Sequence, residues 1–315
     1  MVFYLGDVST EAATTAQKSA FAAELEQMLY SVDTTTHYVY DYKLTVSEFN
    51  TLYENMKNGD CRLIIASYYS NMRVTYTTKW FWIDTIQITN VDSDVLPRYE
   101  RLKKNVEEIQ AGIEAGMSDL DKVIYLHDAL VDLVDYRYVA YQSYGACGAL
   151  GDEEAVCAGY TKAYNMLLNM NGIEAYYAEG NGINHGWTYV NLDGAWYHVD
   201  TTWDDTRSAI KGVPSHQFLL RNDKEFAASG TNSHVAWVLD DVSEKSTSTR
   251  FSNWYVHDIT GKMSFEDGLW YYVDSNNNIV SADALGNKSS VVLSGANLAK
   301  LTMVDVEDGT ITYKI

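Results

Sequence analysis

Three residues near the middle of this 315-residue chain have the types and the order that thiol chemistry needs. Cys157 can supply the nucleophile, His185 the base that takes its proton, and Asp200 the carboxylate that orients the imidazole. A cysteine, a histidine and an aspartate in this order are common by chance. Their chemistry therefore depends on whether the surrounding elements bring the three side chains together.

The position of Cys157 at the start of a predicted helix favours a reactive thiol. Residues 158–170 have a helical composition, and Asn171-Gly172 is a typical helix end. In the first turn of a helix, unpaired N–H groups and the helix dipole stabilise a thiolate, and the same N–H groups can bind an oxyanion. The acidic run at residues 152–154 opposes this effect, so we expect its carboxylates to point into solvent.

Strand register predicts that His185 and Asp200 lie close together. Residues 185–192 and 195–202 have strand-like sequences, and Asp193-Gly194 between them is a strong signal for a two-residue hairpin turn. With that turn, His185 and Asp200 are diagonal neighbours on one face of the sheet, about 7–8 Å apart at the backbone. An imidazole can bridge that distance to a carboxylate. A turn one residue longer would put the two side chains on opposite faces.

Other assignments of these residues remain open at this point. His198 shares the face of the hairpin and is the rival base, but the segment Asn184-His185-Gly186 lies at a loop–strand junction with room for a substrate. His127, beside the apolar stripe of a helix that begins at Ser118, is predicted to be a hydrogen-bonded core residue. Zinc ligation by the candidate triad is the third reading, but zinc sites more often use paired ligands at short spacing. We therefore predict no metal and no cofactor.

Composition excludes several classes of protein. The chain has 23 Lys and Arg against 43 Asp and Glu, a formal charge of −20, and such an acidic surface repels nucleic acids and anionic lipid. No apolar run is long enough to span a bilayer. Three cysteines are too few for a disulfide scaffold or a four-cysteine zinc site, and at least one thiol stays free. The first residues lack a secretory signal, so we expect that the protein stays inside the cell or that the chain begins after processing.

Changes in pattern predict an α+β protein of three parts. Residues 1–117 mix helices with strands, and they are expected to form a packing or positioning domain. Residues 118–238 contain the candidate triad. Residues 239–315 alternate short strand-like runs with turn residues, which indicates antiparallel β-structure. The run at residues 274–278 resembles the start of a calcium loop, but Ile279 and Leu285 stand where that loop needs Gly and Glu, so we predict a turn. The elements predicted for the first part are helices over 10–30, from a capping box at 45–48, and over 98–116, with strands over 61–69 and 72–82.

The central segment resembles the transglutaminase-like superfamily, which has a papain-type cysteine fold. The resemblance rests on the segments around the three candidate residues: Ala155-Val156-Cys157-Ala158-Gly159-Tyr160, His185-Gly186-Trp187, and Trp196-Tyr197-His198-Val199-Asp200 followed by Thr202-Trp203-Asp204-Asp205. It implies a papain/transglutaminase-like core with Cys157, His185 and Asp200 as the catalytic triad. The terminal segments are similar to those that flank such domains in secreted bacterial proteins, which implies an extracellular or cell-surface location.

The implied activity is thiol-dependent acyl transfer on protein or peptide amides, through a thioester that passes to an amine (cross-linking) or to water (amidase or protease). The backbone N–H of Cys157 would be one oxyanion donor, and the second donor stays open between Trp187 and a residue of 141–144. Candidates for substrate or oxyanion binding are Trp187, Tyr160, Trp203 and Tyr144. The alternative function is a catalytically silent binding module on the same fold, attached to cell wall, glycan or protein through its many aromatic residues.

Overall fold

A computed structural model of the chain describes residues 12–57, 73–91, 95–180, 184–205, 213–228, 234, 237–238, 244–295, 301 and 303–314. The chain divides into two compact units, Met1–Pro97 and Arg98–Ile315. The candidate triad belongs to the second unit. The three-part division at residues 117 and 238 remains a prediction.

The first unit combines helices with a small antiparallel sheet. Two of its helices begin at capping boxes, one at Thr14 and one, as predicted, at Thr45. The predicted strand over 72–82 is interrupted by a turn at Trp80, whose φ of 61° ends one strand and starts a hairpin. The strand predicted over 61–69 lies outside the described residues. The elements are α1 (Thr15–Ser31), β1 (His37–Tyr38), α2 (Val46–Lys57), β2 (Arg73–Lys79) and β3 (Trp82–Thr89), with sheet order β1-β3-β2.

Helices form one layer of the second unit. The Ser118 capping box predicted from sequence is present, with the Ser118 hydroxyl accepting from the Asp121 N–H and the Asp121 carboxylate accepting from the Ser118 N–H. Its helix buries an apolar face against the helix that begins at Cys157. The elements up to this point are α3 (Val95–Ala111), α4 (Asp119–Leu133), β4 (Asp135–Tyr136), α5 (Ala146–Gly151), β5 (Glu154–Ala155) and α6 (Cys157–Met170).

The second layer is an antiparallel sheet in the order β8-β7-β6-β9. It consists of β6 (Ala175–Gly180), β7 (Gly186–Leu192), β8 (Ala195–Val199) and β9 (Trp237–Val238). Asp193 and Gly194 form the predicted hairpin turn, both at positive φ, and Leu192 faces Ala195 in the predicted register. Helix α6 packs against β6 and β7. The predicted strand over 195–202 ends at Val199, because the next residues form a short helix.

Two short helices and two β-sheets complete the second unit. The short helix after β8 is α7 (Thr201–Asp204), and α8 (Asp223–Ala227) follows. The C-terminal strands are all antiparallel, as predicted. The Asp274 carboxylate accepts from the N–H groups of Asn276 and Asn278, which is the geometry of a turn. The strands are β10 (Ser264–Glu266), β11 (Leu269–Val273), β12 (Ile279–Ala282), β13 (Ser290–Leu293), β14 (Met303–Glu307) and β15 (Thr310–Lys314).

The structure thus confirms the predicted fold class, an α+β core followed by antiparallel β-structure. Among the helices of the described residues, none combines the length and the apolar character that crossing a membrane requires.

Candidate active site

Cys157 is the first residue of α6, as the sequence predicts. The N-cap residue, Val156, provides no side-chain hydrogen bond to the helix start. N–H groups in the first turn of a helix have no partner within the helix, so they are available to a ligand or to the sulfur. Cys157 is partly exposed, whereas Cys147 is buried in α5. Cys157 is therefore the accessible thiol of the two.

His185 bridges Cys157 and Asp200. Its Nε2 lies 2.6 Å from Asp200 Oδ2, and the ring also hydrogen-bonds the Cys157 thiol. Since Nε2 is used by Asp200, Nδ1 is the nitrogen left for sulfur. His185 immediately precedes β7 and Asp200 immediately follows β8, so the hairpin register that the sequence predicts brings the two side chains together at one end of the sheet.

From the described residues, the Asp200 carboxylate receives four hydrogen bonds, two at each oxygen. Oδ2 accepts from Nε2 of His185 and from Nε2 of His234, at 2.6 and 2.8 Å. Oδ1 accepts from the backbone N–H groups of Thr202 and Trp203, both at 3.1 Å. Asp200 is thus the N-cap of α7 and the acceptor for two imidazoles at once. The buried carboxylate is fixed in one orientation by this arrangement.

His234 is a residue that the sequence reasoning missed. It is completely buried, and its ring stacks on Phe226 with ring centroids 3.8 Å apart. It lies 34 positions beyond Asp200 and belongs to none of the motifs around the triad. No local signal in the sequence could have placed it beside the carboxylate.

Electrostatics in this cluster favour a thiolate beside an imidazolium. Burial alone would lower the pKa of His185, but its hydrogen bonds to Asp200 and Cys157 outweigh burial and raise the pKa to about 10. Burial would raise the pKa of Cys157, but hydrogen bonds from His185 and from the backbone of Gly186 hold it below its ordinary value of 9.0. The pKa of Asp200 is likewise lowered, because the hydrogen bonds from His185 and His234 outweigh burial. The site therefore favours the ionised form of the sulfur more than the surroundings of an ordinary thiol would.

Arginines pair with Asp152 and Glu154 of the acidic run that precedes Cys157. Asp152 lies 3.4 Å from Arg98 and 2.9 Å from Arg101, and Glu154 lies 2.8 Å from Arg137. The expectation that these carboxylates simply point into solvent is therefore incomplete, since Asp152 and Glu154 are also paired with cations. The pairs reduce the repulsion that the run would exert on a thiolate.

A small open cavity lies at Cys157. Its volume is about 170 Å³. The lining combines the thiol and the imidazole with three tyrosines and one carboxylate, and the full set is Tyr136, Tyr144, Val156, Cys157, Ala158, Tyr177, Glu179, Asn184, His185 and Gly186. A substrate group in this cavity would lie against the sulfur.

The four residues predicted to bind substrate or oxyanion divide into two pairs. Trp187 and Tyr160 are buried with their donors in use: the Trp187 indole donates to Nδ1 of His198 at 2.9 Å, and the Tyr160 hydroxyl donates to the Val134 carbonyl at 2.8 Å. This placement leaves both inside the core. Tyr144 and Trp203 are exposed at the surface near the cavity; Tyr144 lines it, and the ring centroid of Trp203 lies 6.1 Å from that of His185.

His198, the rival base, lies away from the thiol. Its Nδ1 accepts from the Trp187 indole and its Nε2 lies 2.9 Å from Asp223 Oδ1. The ring is completely buried, and burial lowers its pKa. The structure therefore brings His185, rather than His198, to Cys157.

A second buried cluster of histidines and carboxylates lies beside the site. His127 is hydrogen-bonded in the core, as its position in the sequence predicts, with Nδ1 2.9 Å from Asp128 and Nε2 3.2 Å from Asp204. His216 completes the cluster, with Nε2 2.8 Å from Asp128. Burial by itself would lower the pKa of His127, but the hydrogen bonds to Asp128 and Asp204 raise it to about 9. The cluster therefore holds a buried imidazolium.

Two sets of possible metal ligands occur in the described part of the chain. Each brings its ligand atoms within 4.8 Å of one another, and the sets are His127-Asp128-His216 and His185-Asp200-His234. In both sets the imidazole nitrogens point at carboxylate oxygens at hydrogen-bonding distance. That geometry suits protonated nitrogens that donate to carboxylates, and it does not require a cation between them.

The segment that contains the candidate triad is similar to a known family. Residues 107–201 match the family model of the transglutaminase-like superfamily, a range that includes Cys157, His185 and Asp200. Among solved structures, the chain is similar to one described as a TGase (17% identity, TM-score 0.30, 42% of this chain and 44% of that one). It is also similar to a protein of Cytophaga hutchinsonii provisionally named a cysteine protease (13% identity, TM-score 0.26, 42% of this chain and 62% of that one).

The aligned part is thus less than two thirds of either solved chain. No curated protein matches the sequence. The match to the transglutaminase-like superfamily thus covers the segment that holds the candidate triad, residues 107–201, and less than half of the chain.

Proposed function

We propose that this protein catalyses thiol-dependent acyl transfer on protein or peptide amides. Cys157 is the nucleophile, His185 the general base and acid, and Asp200 the residue that orients the imidazole. The observation that carries the proposal is the double contact of His185, which hydrogen-bonds the Cys157 thiol on one side and Asp200 on the other. An imidazole held in this way can accept the proton that the thiol gives up, and its fixed orientation determines the direction in which it returns that proton.

The reaction proceeds in two steps. The Cys157 thiolate attacks the amide carbonyl carbon, the C=O π electrons move to oxygen, and the backbone N–H of Cys157 donates to that oxygen. Collapse of this intermediate breaks the C–N bond, and the His185 imidazolium gives its proton to the leaving amine. In the second step an amine or a water attacks the thioester while His185 takes its proton, which releases the product and restores the thiolate.

The size of the cavity supports a macromolecular substrate that inserts one side chain or a short segment. Pockets for drug-sized ligands have volumes of about 300–1,000 Å³. The cavity at Cys157 is smaller, about 170 Å³, and it is open. The bulk of a protein or peptide substrate would then remain outside, in reach of the exposed Tyr144 and Trp203.

Selective alkylation tests the activated thiol. At neutral pH, iodoacetamide should modify Cys157 much faster than Cys147, because burial raises the pKa of Cys147 to about 12 and keeps it a protonated thiol. Peptide mapping by mass spectrometry measures both rates. Equal labelling of Cys157 and Cys147 in the folded protein would contradict an activated nucleophile.

Substrate assays separate the two acceptors. Incorporation of a fluorescent amine into a glutamine-rich protein, measured beside hydrolysis of peptides, distinguishes cross-linking from cleavage. Cys157→Ala should abolish either activity, whereas Cys147→Ala, a matched control at the buried thiol, should retain it. A wild-type protein that folds but shows neither activity would favour the silent binding module instead.

A further inference from the structure

Tyr177 occupies a position in the candidate active site that the proposed mechanism does not use. It lies on β6 and lines the cavity together with Cys157 and Gly186. Its hydroxyl rests directly on Gly186: a side chain at position 186 would collide with the Tyr177 hydroxyl and ring. The backbone of Gly186 also hydrogen-bonds the Cys157 sulfur. One residue therefore contacts both the tyrosine hydroxyl and the nucleophile.

The Tyr177 hydroxyl makes no hydrogen bond to any part of the chain that the structure describes. Other tyrosines around the same core differ in this respect. The hydroxyls of Tyr160 and Tyr164 donate to backbone carbonyls, and that of Tyr176, the preceding residue, donates to Glu174. A partly buried hydroxyl that has no partner among the described residues retains its capacity to donate to a bound molecule.

The protonation state of Tyr177 suits a donor. Burial raises its pKa above the ordinary value of 10.0, and the charge of Cys157 raises it further. The hydroxyl therefore stays protonated at neutral pH, as a hydrogen-bond donor must. The effect of Cys157 on the tyrosine also agrees with their shared cavity.

We propose that the Tyr177 hydroxyl is the second oxyanion donor of this site. The assignment rests on the proposed acyl transfer. As the thiolate forms the C–S bond, the carbonyl π electrons move to oxygen, and the O–H of Tyr177 and the N–H of Cys157 donate hydrogen bonds to it. No proton leaves the tyrosine; the electron pair returns to form C=O when the amine departs. Trp187, considered for this role from sequence, already donates to His198.

Tyr177→Phe tests the assignment because it removes only the hydroxyl. The matched control is Tyr176→Phe, which removes the neighbouring hydroxyl on the opposite face of the same strand. Two reactions are measured on the same preparations. One is acylation of Cys157 by p-nitrophenyl esters, which is monitored through the release of nitrophenolate, and the other is alkylation of Cys157 by iodoacetamide. Acylation passes through an oxyanion, whereas alkylation displaces iodide and forms none.

We expect Tyr177→Phe to lower the rate constant of acylation about 100-fold, the usual effect of losing one oxyanion donor, with little change in KM. Its alkylation rate and its melting temperature should remain those of the wild type, and Tyr176→Phe should acylate normally. A Tyr177→Phe protein that acylates as fast as the wild type overturns the assignment and leaves the proposed function standing. A parallel loss of acylation and alkylation also overturns it, since the tyrosine would then act on the thiol. Wild-type protein that is alkylated but never acylated overturns the proposed function itself, and the assignment with it.

Discussion

Asp200→Asn tests how the carboxylate organises the site. Both oxygens of Asp200 act as acceptors, Oδ2 for His185 and His234 and Oδ1 for the N–H groups of Thr202 and Trp203. Asparagine has one acceptor oxygen and one NH₂ group, which only donates. In either orientation of the amide, two donors of the protein face the NH₂ group. The substitution keeps the shape of the side chain but loses two of the four hydrogen bonds.

The loss of stability can be estimated from the number of hydrogen bonds that the substitution removes. Hydrogen bonds to a charged group contribute about 1.5–3 kcal/mol each, so the loss of two lowers the free energy of unfolding by at least about 3 kcal/mol. For a unit of this size, 1 kcal/mol corresponds to about 2–4 °C, so we expect the melting temperature to fall by at least about 6 °C. The pKa of His185 should fall as well, because the charge of Asp200 helps to raise it. A smaller fraction of Cys157 is then the thiolate, and alkylation at neutral pH slows.

Scanning calorimetry and the rate of iodoacetamide alkylation measure the two effects. Asp223→Asn is the matched control, because Asp223 also pairs with a histidine, His198, but its side chain is 29% exposed. We expect a change in melting temperature there that is much smaller than for Asp200→Asn. If Asp200→Asn melts at the same temperature as the wild type and is alkylated at the same rate, then the carboxylate neither holds the short helix nor polarises His185.

Three further predictions follow from the same geometry. The rate of acyl transfer should rise with pH as Cys157 ionises, at pH values below the ordinary pKa of a thiol, and it should fall near pH 10 as His185 loses its proton. Stopped-flow rates measured across pH check both the rise and the fall. Thermal stability should fall as pH rises from neutral through about 9, because the raised pKa of His127 means that the folded protein binds a proton that the unfolded chain, with a pKa near 6.5, has already lost. His127→Gln should melt at a lower temperature than the wild type at neutral pH, and its melting temperature should decline less as the pH rises. Gly186→Ala should displace the Tyr177 ring and lower acylation more than Tyr177→Phe alone, which a direct comparison of rate constants would reveal.

The sequence predicts those parts of the site that local rules govern. The turn at Asp193-Gly194 determines the register of β7 and β8, and the helix that begins at Cys157 has clear compositional and end signals. These two features are enough to bring His185 toward Asp200. The sequence nevertheless predicts that the strand continues beyond Val199, because the apolar alternation there gives no sign that the Asp200 side chain accepts from the next backbone N–H groups and starts a helix.

The rest of the site depends on contacts between distant segments. His234 contacts Asp200 from 34 positions away in the sequence. Nothing in its sequence neighbours distinguishes a histidine that donates to a carboxylate from any other buried histidine. Likewise, the indole of Trp187 is a plausible oxyanion donor in sequence, but its N–H is used by His198 from the neighbouring strand. Tyr177 was not recognised because its part in the site depends on the absence of a side chain at Gly186, a complementarity that only the folded sheet reveals.

The four residues of α7 link the candidate site to the second histidine cluster. Asp200 caps its first turn, and its last residue, Asp204, accepts from the Phe218 N–H and lies 3.2 Å from His127. The N–H of Asp204 also donates to the carbonyl of Asp200, at 3.1 Å. A helix this short cannot hold its position through its own hydrogen bonds, since one turn is below the length at which helices are stable alone. The buried pair of Asp204 with the His127 imidazolium therefore anchors the segment that presents Asp200 to His185, so a residue with no contact to the cavity contributes to the geometry of the nucleophile.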